Sequence, residues 1–284
     1  HLDLEKGMFH LRAGQQFVGF GLTGFDAQDS GLTLMTKGAV PVTLFMMVDN
    51  DGGSRVASDA FYYGANVGHK TDAYAANVFV AAQKDEAEEE VYVVGMTYAQ
   101  SFDALKLYTE LEYFTGDASA TVDAYGLQAF VDVSAAVAET VTIGGQFFYA
   151  MGDDEDVQYQ VLGNEFNGWD PIYALGTGLD NEQIALGRPF TVLGNGAGLY
   201  AGRFYANMKA TDAITFSGSV FYGVNDEEDV AVFEDAMAFG VGMNYAFMPN
   251  TSLGVQAQWA DFSGEGNNAD AEVISGGVGL FVNF

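Results

Sequence analysis

The chain has 284 residues, 49% hydrophobic and 17% charged, with no cysteine and a formal net charge of −29 from 39 acidic and 10 basic residues. That balance excludes a phosphate-backbone partner such as nucleic acid, which needs clustered Lys and Arg, and the lack of thiols excludes a disulfide framework or a thiolate metal site. The charged fraction falls below the roughly 25% of soluble domains. With no apolar run near the ~20 residues of a transmembrane helix but 36 Gly, 23 Phe and 15 Tyr, strands that cross a membrane are the reading that fits.

In chain order, residues 1–5 alternate but are too short for a spanning strand, which takes about 9–11 residues. Lys6-Gly7 reads as a tight turn, and 8–22 as the first full strand. No basic–apolar–small leader precedes His1, so the chain reads as beginning part-way down a strand, with N-terminal residues missing. A polar loop over 24–30 leads to a strand at 32–37, a turn at 38–41 and a strand at 42–48. Strands follow at 61–70, 74–83, 91–100, 105–114, 125–133 and 141–151. One long irregular stretch, 152–194, interrupts the pattern; strands then resume at 199–209, 214–222, 237–247, 253–262 and 272–284.

The connections sort into two kinds. One set is tight; the other is longer and often acidic or Gly-rich, as at 84–90, 224–235 and 263–271. Short turns on one side and long loops on the other mark an outer-membrane barrel. The expected fold is all-β: one transmembrane antiparallel up-and-down β-barrel over 1–284, with about fourteen full strands and a partial one readable. Both ends fall on the short-turn side, which requires an even count. Sixteen strands are expected, or fourteen if residues 1–7 are only a tail.

Period-two reading assigns an apolar face to lipid and a polar or small face to the interior. Leu105, Leu107, Leu111, Ile143, Phe147, Met237, Phe239 and Val241 belong to the first set. Tyr62, Tyr63, Tyr98, Tyr113, Phe114, Tyr222, Tyr245 and Phe247, near strand ends, are expected in interfacial girdles. The inward set supplies the pore-lining candidates: Arg12, Gln16, Lys106, Glu110, Glu112, Gln128, Gln146, Arg203, Gln256 and Gln258. Interspersed with inward glycines such as Gly126, Gly144 and Gly240, they read as the wall of a hollow, water-filled lumen.

The terminal Gly-Leu-Phe-Val-Asn-Phe284 resembles the aromatic-ended signal that barrel-assembly machinery reads, and the architecture resembles that of Gram-negative outer-membrane porins. Phe9-His-Leu-Arg-Ala-Gly-Gln-Gln16 is similar to the early strand of alginate-export-like porins, with Gln15 where those have arginine. Gly-Arg-Pro-Phe at 187–190, followed by Gly-Asn-Gly-Ala-Gly at 194–198, is similar to trimeric porins of sulfate-reducing bacteria. The resemblance implies location in the outer membrane, contact with lipid and lipopolysaccharide, a homotrimer, and passive diffusion of small hydrophilic solutes.

The stretch 152–194 is the expected constriction or cap, since long loops in compact structures are usually functional or disordered. Its candidates are Asp156, Glu165, Asp170, Asp180, Glu182 and Arg188, opposing Arg12, Arg203 and Lys106 to set a transverse field. Acidic runs such as Asp153, Asp154 and Asp156 have the oxygen chemistry of a Ca²⁺ site without an EF-hand spacing; no other cofactor is expected. Three histidines (His1, His10, His69) give little basis for catalysis, so no enzyme is expected. Two further functions stay open beside the diffusion porin: a substrate-specific channel for a sugar or acidic oligosaccharide, and a structural or adhesive outer-membrane protein.

Overall fold

The computed structural model describes residues 1–49, 60–84, 90–119, 122–152, 198–226, 233–264 and 269–282. Among them run β1 (Leu2–Lys6), β2 (Phe9–Phe20), β3 (Phe25–Thr36), β4 (Val42–Asp49), β5 (Ala60–Lys70), β6 (Tyr74–Lys84), β7 (Glu90–Phe102) and β8 (Leu105–Ser119). They continue with β9 (Val122–Ala138), β10 (Val141–Ala150), β11 (Leu199–Lys209), β12 (Ile214–Val224), β13 (Phe233–Met248), β14 (Thr251–Gly264) and β15 (Ala271–Val282). All fifteen belong to one sheet in strict sequence order, and the hairpins are antiparallel, from Leu2↔Ala13 at one end to Thr251↔Val282 at the other.

Local chemistry explains the short connections. Gly7 (φ 60°) and Asp103 (φ 49°) supply the left-handed residues that tight turns need. Thr71 and Thr211 each accept two backbone N–H groups on their hydroxyls, from Ala73 and Tyr74 and from Ala213 and Ile214, closing the β5–β6 and β11–β12 turns. Pro249-Asn250 joins β13 to β14 where no ladder donor is required.

The strand order agrees with the alternation read from sequence, but several loop assignments give way to longer strands. Residues 25–30 are strand, because β3 pairs with β2 from Phe20↔Phe25 to Gln15↔Ser30. Likewise 115–119 extend β8 and 134–138 extend β9. In 25–30 the polar side chains Asp26, Gln28, Asp29 and Ser30 mimic loop composition, while the ladder with β2 satisfies their backbone.

Two compact units appear among the described residues, one drawn from 1–101 and 107–130, the other from 102–106, 131–152 and 198–282. In each, one sheet face is apolar and exposed, as the face toward lipid must be. On β13, Met237, Phe239 and Val241 are exposed while Ala236, Ala238 and Gly240 are buried; β15 alternates along its whole length. Tyr63, Tyr113, Tyr222, Tyr245 and Phe247 lie exposed on that outer face. Tyr62 and Phe114 do not: each is essentially buried on the inner face, which corrects their placement in a girdle.

In the first unit the inner face is not hollow throughout. Val18, Phe20, Phe25, Phe45, Met47, Tyr62, Phe79, Val93 and Phe114 form an apolar core. Its rings meet at 5.1 Å (Phe25–Phe45), 5.3 Å (Phe20–Phe45), 5.7 Å (Phe20–Phe79) and 6.2 Å (Phe25–Tyr62). At about 1.5–3 kcal/mol per buried aromatic or aliphatic side chain, this packing is a major stabilising element of the unit. Period-two reading missed it because β4 is apolar on both faces, Leu44 and Met46 outward, Phe45 and Met47 inward.

Candidate functional site

The tip of the β2–β3 hairpin, Gly21-Leu-Thr-Gly24, lies on the inner face of the first unit and reaches β8 and β9. Above the pair Ser30↔Val48, β3 has no partner in β4 among the described residues, and β2 pairs with β1 only up to Ala13. Residues 15–29 therefore form an arm whose two strands pair with each other. Gly14 (φ 108°) and Gly31 face one another at its base. A Cβ on Gly31 would lie 2.2 Å from the Met46 carbonyl oxygen, so glycine is required where β3 passes β4 this closely.

The far end of the arm docks on Glu110. Leu22 N–H donates to both carboxylate oxygens at 2.8 Å, Thr23 N–H donates to Oε1 at 2.8 Å, and the Thr23 hydroxyl lies 3.2 Å from Oε1. Tyr108 Oη donates to Oε2 at 2.7 Å. Gln128 Nε2 donates to the Thr23 carbonyl at 2.5 Å, and the Thr23 hydroxyl is 3.4 Å from Glu112 Oε2. Backbone amides on a carboxylate make charge-assisted bonds of about 1.5–3 kcal/mol each. Gly21 (φ 77°) permits this approach, since a Cβ there would fall 2.0 Å from Glu110 Oε1; one on Gly24 would fall 2.5 Å from the Phe79 ring.

Glu110 and Glu112 thus occupy the inner face, but at 3% and 0% exposure they are covered by the arm rather than presented to open water. Sequence reading missed Gly21, Leu22 and Thr23 altogether. The paired glycines around Leu22-Thr23 were the available signal, and a partner 88 residues away is invisible to local pattern.

The second unit carries a polar array on β9–β11. Asp132 accepts from Tyr205 Oη at 2.9 Å and from Gln146 Nε2 at 2.8 Å. Arg203 Nη1 donates to Gln146 Oε1 at 3.2 Å and its guanidinium stands 5.2 Å from the Tyr205 ring centre. Gly144 makes room for that ring, as a Cβ there would lie 2.2 Å from Tyr205 Cζ. Gln256 and Gln258 continue the inner face on β14, with the Ser275 hydroxyl donating to Gln258 Oε1 at 3.3 Å.

Other candidates fall elsewhere. Arg12 pairs with Asp3 of β1 (Nε–Oδ1 3.0 Å), and His10, for which sequence suggested no partner, meets the same carboxylate at 2.9 Å. Gln16 accepts from the Thr33 hydroxyl at 2.8 Å. Lys106 is exposed at the beginning of β8. Asp153, Asp154, Asp156, Glu165, Asp170, Asp180, Glu182, Arg188 and Phe284 lie outside the described residues. Among those described, no group of three or more acidic or histidine side chains is placed to hold a metal ion.

No protein-family model matches the chain, and no curated protein sequence does. Solved structures do match in fold. Pseudomonas aeruginosa OccK11 (OpdR) superposes with a TM-score of 0.65 at 10% identity, covering 99% of this chain and 79% of that one. Pseudomonas aeruginosa OccK3 (OpdO) gives 0.64 at 11%, covering 98% and 77%. Pseudomonas aeruginosa OpdK, solved with vanillate, gives 0.59 at 10%, covering 98% and 78%. The fold is that of Gram-negative outer-membrane porins, an antiparallel up-and-down sheet whose neighbours are β-barrels.

Proposed function

We propose that this chain is an outer-membrane channel through which small hydrophilic solutes and ions diffuse passively. The observation that carries the reading is the opposition of faces over β9–β15. Outward stand Phe204, Val220, Phe239, Val241, Ile274 and Val278; inward stand Asp132, Gln146, Arg203, Gln256 and Gln258. Charged and amide side chains on a lipid-facing wall would be costly, whereas on a wetted wall they cost little. Reconstitution into planar lipid bilayers tests it: discrete ohmic steps are expected, and a protein that inserts but conducts nothing overturns the reading in favour of a structural outer-membrane role.

A substrate-specific channel is the second reading, favoured by one feature. Arg203, Tyr205, Gln146 and Asp132 are already held in a fixed array by hydrogen bonds among themselves, the preorganisation a selective site uses. Saturable block of the current by one solute class, absent for others of equal size, separates the two. We also propose a homotrimer. An apolar outer groove of about 890 Å³, lined by Ile143, Gly145, Ala206, Gly218, Val220 and Val241 among others, supports it as a face that another apolar surface can fill. Chemical cross-linking in outer-membrane vesicles tests that proposal.

A further inference from the structure

We propose that the β2–β3 arm is a fixed constriction of this channel, narrowing the passage from the side of the first unit and lining it with uncharged amide and hydroxyl groups; the proposal rests on the channel reading above. Three observations lead to it. First, one face of the arm belongs to the aromatic core. Val18, Phe20, Phe25 and Ala27 are buried in one cluster with Phe45 and Met47 of β4, Tyr62 of β5, Phe79 of β6 and Val93 of β7. Second, the tip is tied down beyond that cluster. Glu110 of β8 takes both tip amides and the Thr23 hydroxyl, and Gln128 of β9 donates to the Thr23 carbonyl. Apolar packing along its length and charge-assisted bonds at its end hold the arm in one position on the inner face. One sheet layer packed face to face on another adds about 10 Å of thickness, and the arm takes roughly that width from the passage.

Third, the other face of the arm has the composition of a wetted surface. At the base of the hairpin the outward row is apolar, with Phe9 opposite Thr36, Leu11 opposite Leu34 and Ala13 opposite Leu32. Beyond Gly14↔Gly31 the same parity carries Gln15↔Ser30, Phe17↔Gln28 and Gly19↔Asp26. Gln15, Gln28 and Ser30 are exposed there, and Phe17 is the one large apolar side chain among the six. Amides and a hydroxyl turned to lipid would find no partners for their hydrogen bonds, whereas beside a water-filled passage the solvent supplies them. The change of composition at Gly14↔Gly31 therefore marks where this row leaves lipid. Asp26, the one acidic residue of the row, is only 5% exposed. Solutes passing this face are screened by size and hydrogen bonding, and a charge placed on it should act on permeating ions directly.

The chain has no cysteine, so single introduced thiols report on this face. In planar bilayers, Gln28→Cys and Ser30→Cys channels treated with a cationic or an anionic methanethiosulfonate should lose current. Under a salt gradient the cationic adduct should move the reversal potential toward anion preference, and the anionic adduct toward cation preference. Leu34→Cys, in the apolar row of β3, should keep its current and its potential with both reagents. Mass spectrometry of the treated protein shows which thiols have reacted. Reaction in Gln28→Cys and Ser30→Cys with current and potential unchanged overturns the constriction while leaving the channel intact, as does failure of both thiols to react in folded protein. Equal changes in Leu34→Cys also overturn it, because the two rows would then share the same surroundings. Absence of any conductance in the unmodified protein overturns the channel reading itself, and the constriction with it.

Discussion

Glu110 and Gly21 form one device at the scale of single residues. The carboxylate collects the tip amides, and the glycine leaves the space through which it does so. Gly21→Ala should therefore undock the tip for two reasons, a left-handed φ and a Cβ 2.0 Å from Glu110 Oε1. Gly7→Ala separates them, because Gly7 has a similar φ of 60° but nothing within 4 Å of its Cβ position. With Leu22→Cys as the reporter, thiol labelling should be faster in Gly21→Ala by about tenfold or more, following the loss of a charge-assisted bond. Gly7→Ala should leave it unchanged. Equal acceleration by both would assign the effect to backbone strain rather than to the Glu110 contact.

At the scale of elements, the strands were legible because lipid on one side and a polar interior on the other impose period two. The positions of β10, β13 and β15 follow from Ile143 and Phe147, Phe239 and Val241, and Ile274 in the outward register. What stayed hidden was the β2–β3 arm. Asp26, Gln28, Asp29 and Ser30 have loop composition, and their ladder with Gly19, Phe17, Gln16 and Gln15 makes them strand. The aromatic interior was hidden for a different reason, since parity cannot say which face is inside when, as in β4, both are apolar. The inward position of Glu110 and Glu112 was readable, but the hairpin that covers them was not.

The same face logic gives a test on two adjacent strands. Val241 on β13 is 58% exposed on the apolar face, and Gln258 on β14 is 5% exposed on the inner one. A lysine on the lipid side near mid-membrane costs about 2–4 kcal/mol. Val241→Lys should therefore greatly reduce the folded, heat-modifiable band on gel electrophoresis. Gln258→Lys should retain most of it, and a reversed order would mean the faces have been assigned the wrong way round.

For the molecule as a whole, the charge of −29 becomes a functional quantity once the chain is read as a channel. A wall of fixed negative charge concentrates cations and repels anions within about a Debye length, roughly 8–10 Å at ordinary salt. The inner face of the second unit offers a direct handle, because Asp132 and Arg203 join the same array through Gln146 with opposite sign. Under a salt gradient the reversal potential should have the sign of cation preference and shrink as salt rises. Arg203→Gln should move it further toward cations, and Asp132→Asn back toward anions. These opposite displacements would place the permeating ions beside this array. If neither substitution moves the potential while the cation preference persists, ions pass along another part of the wall, and the acidic majority of the sequence sets selectivity without these two residues.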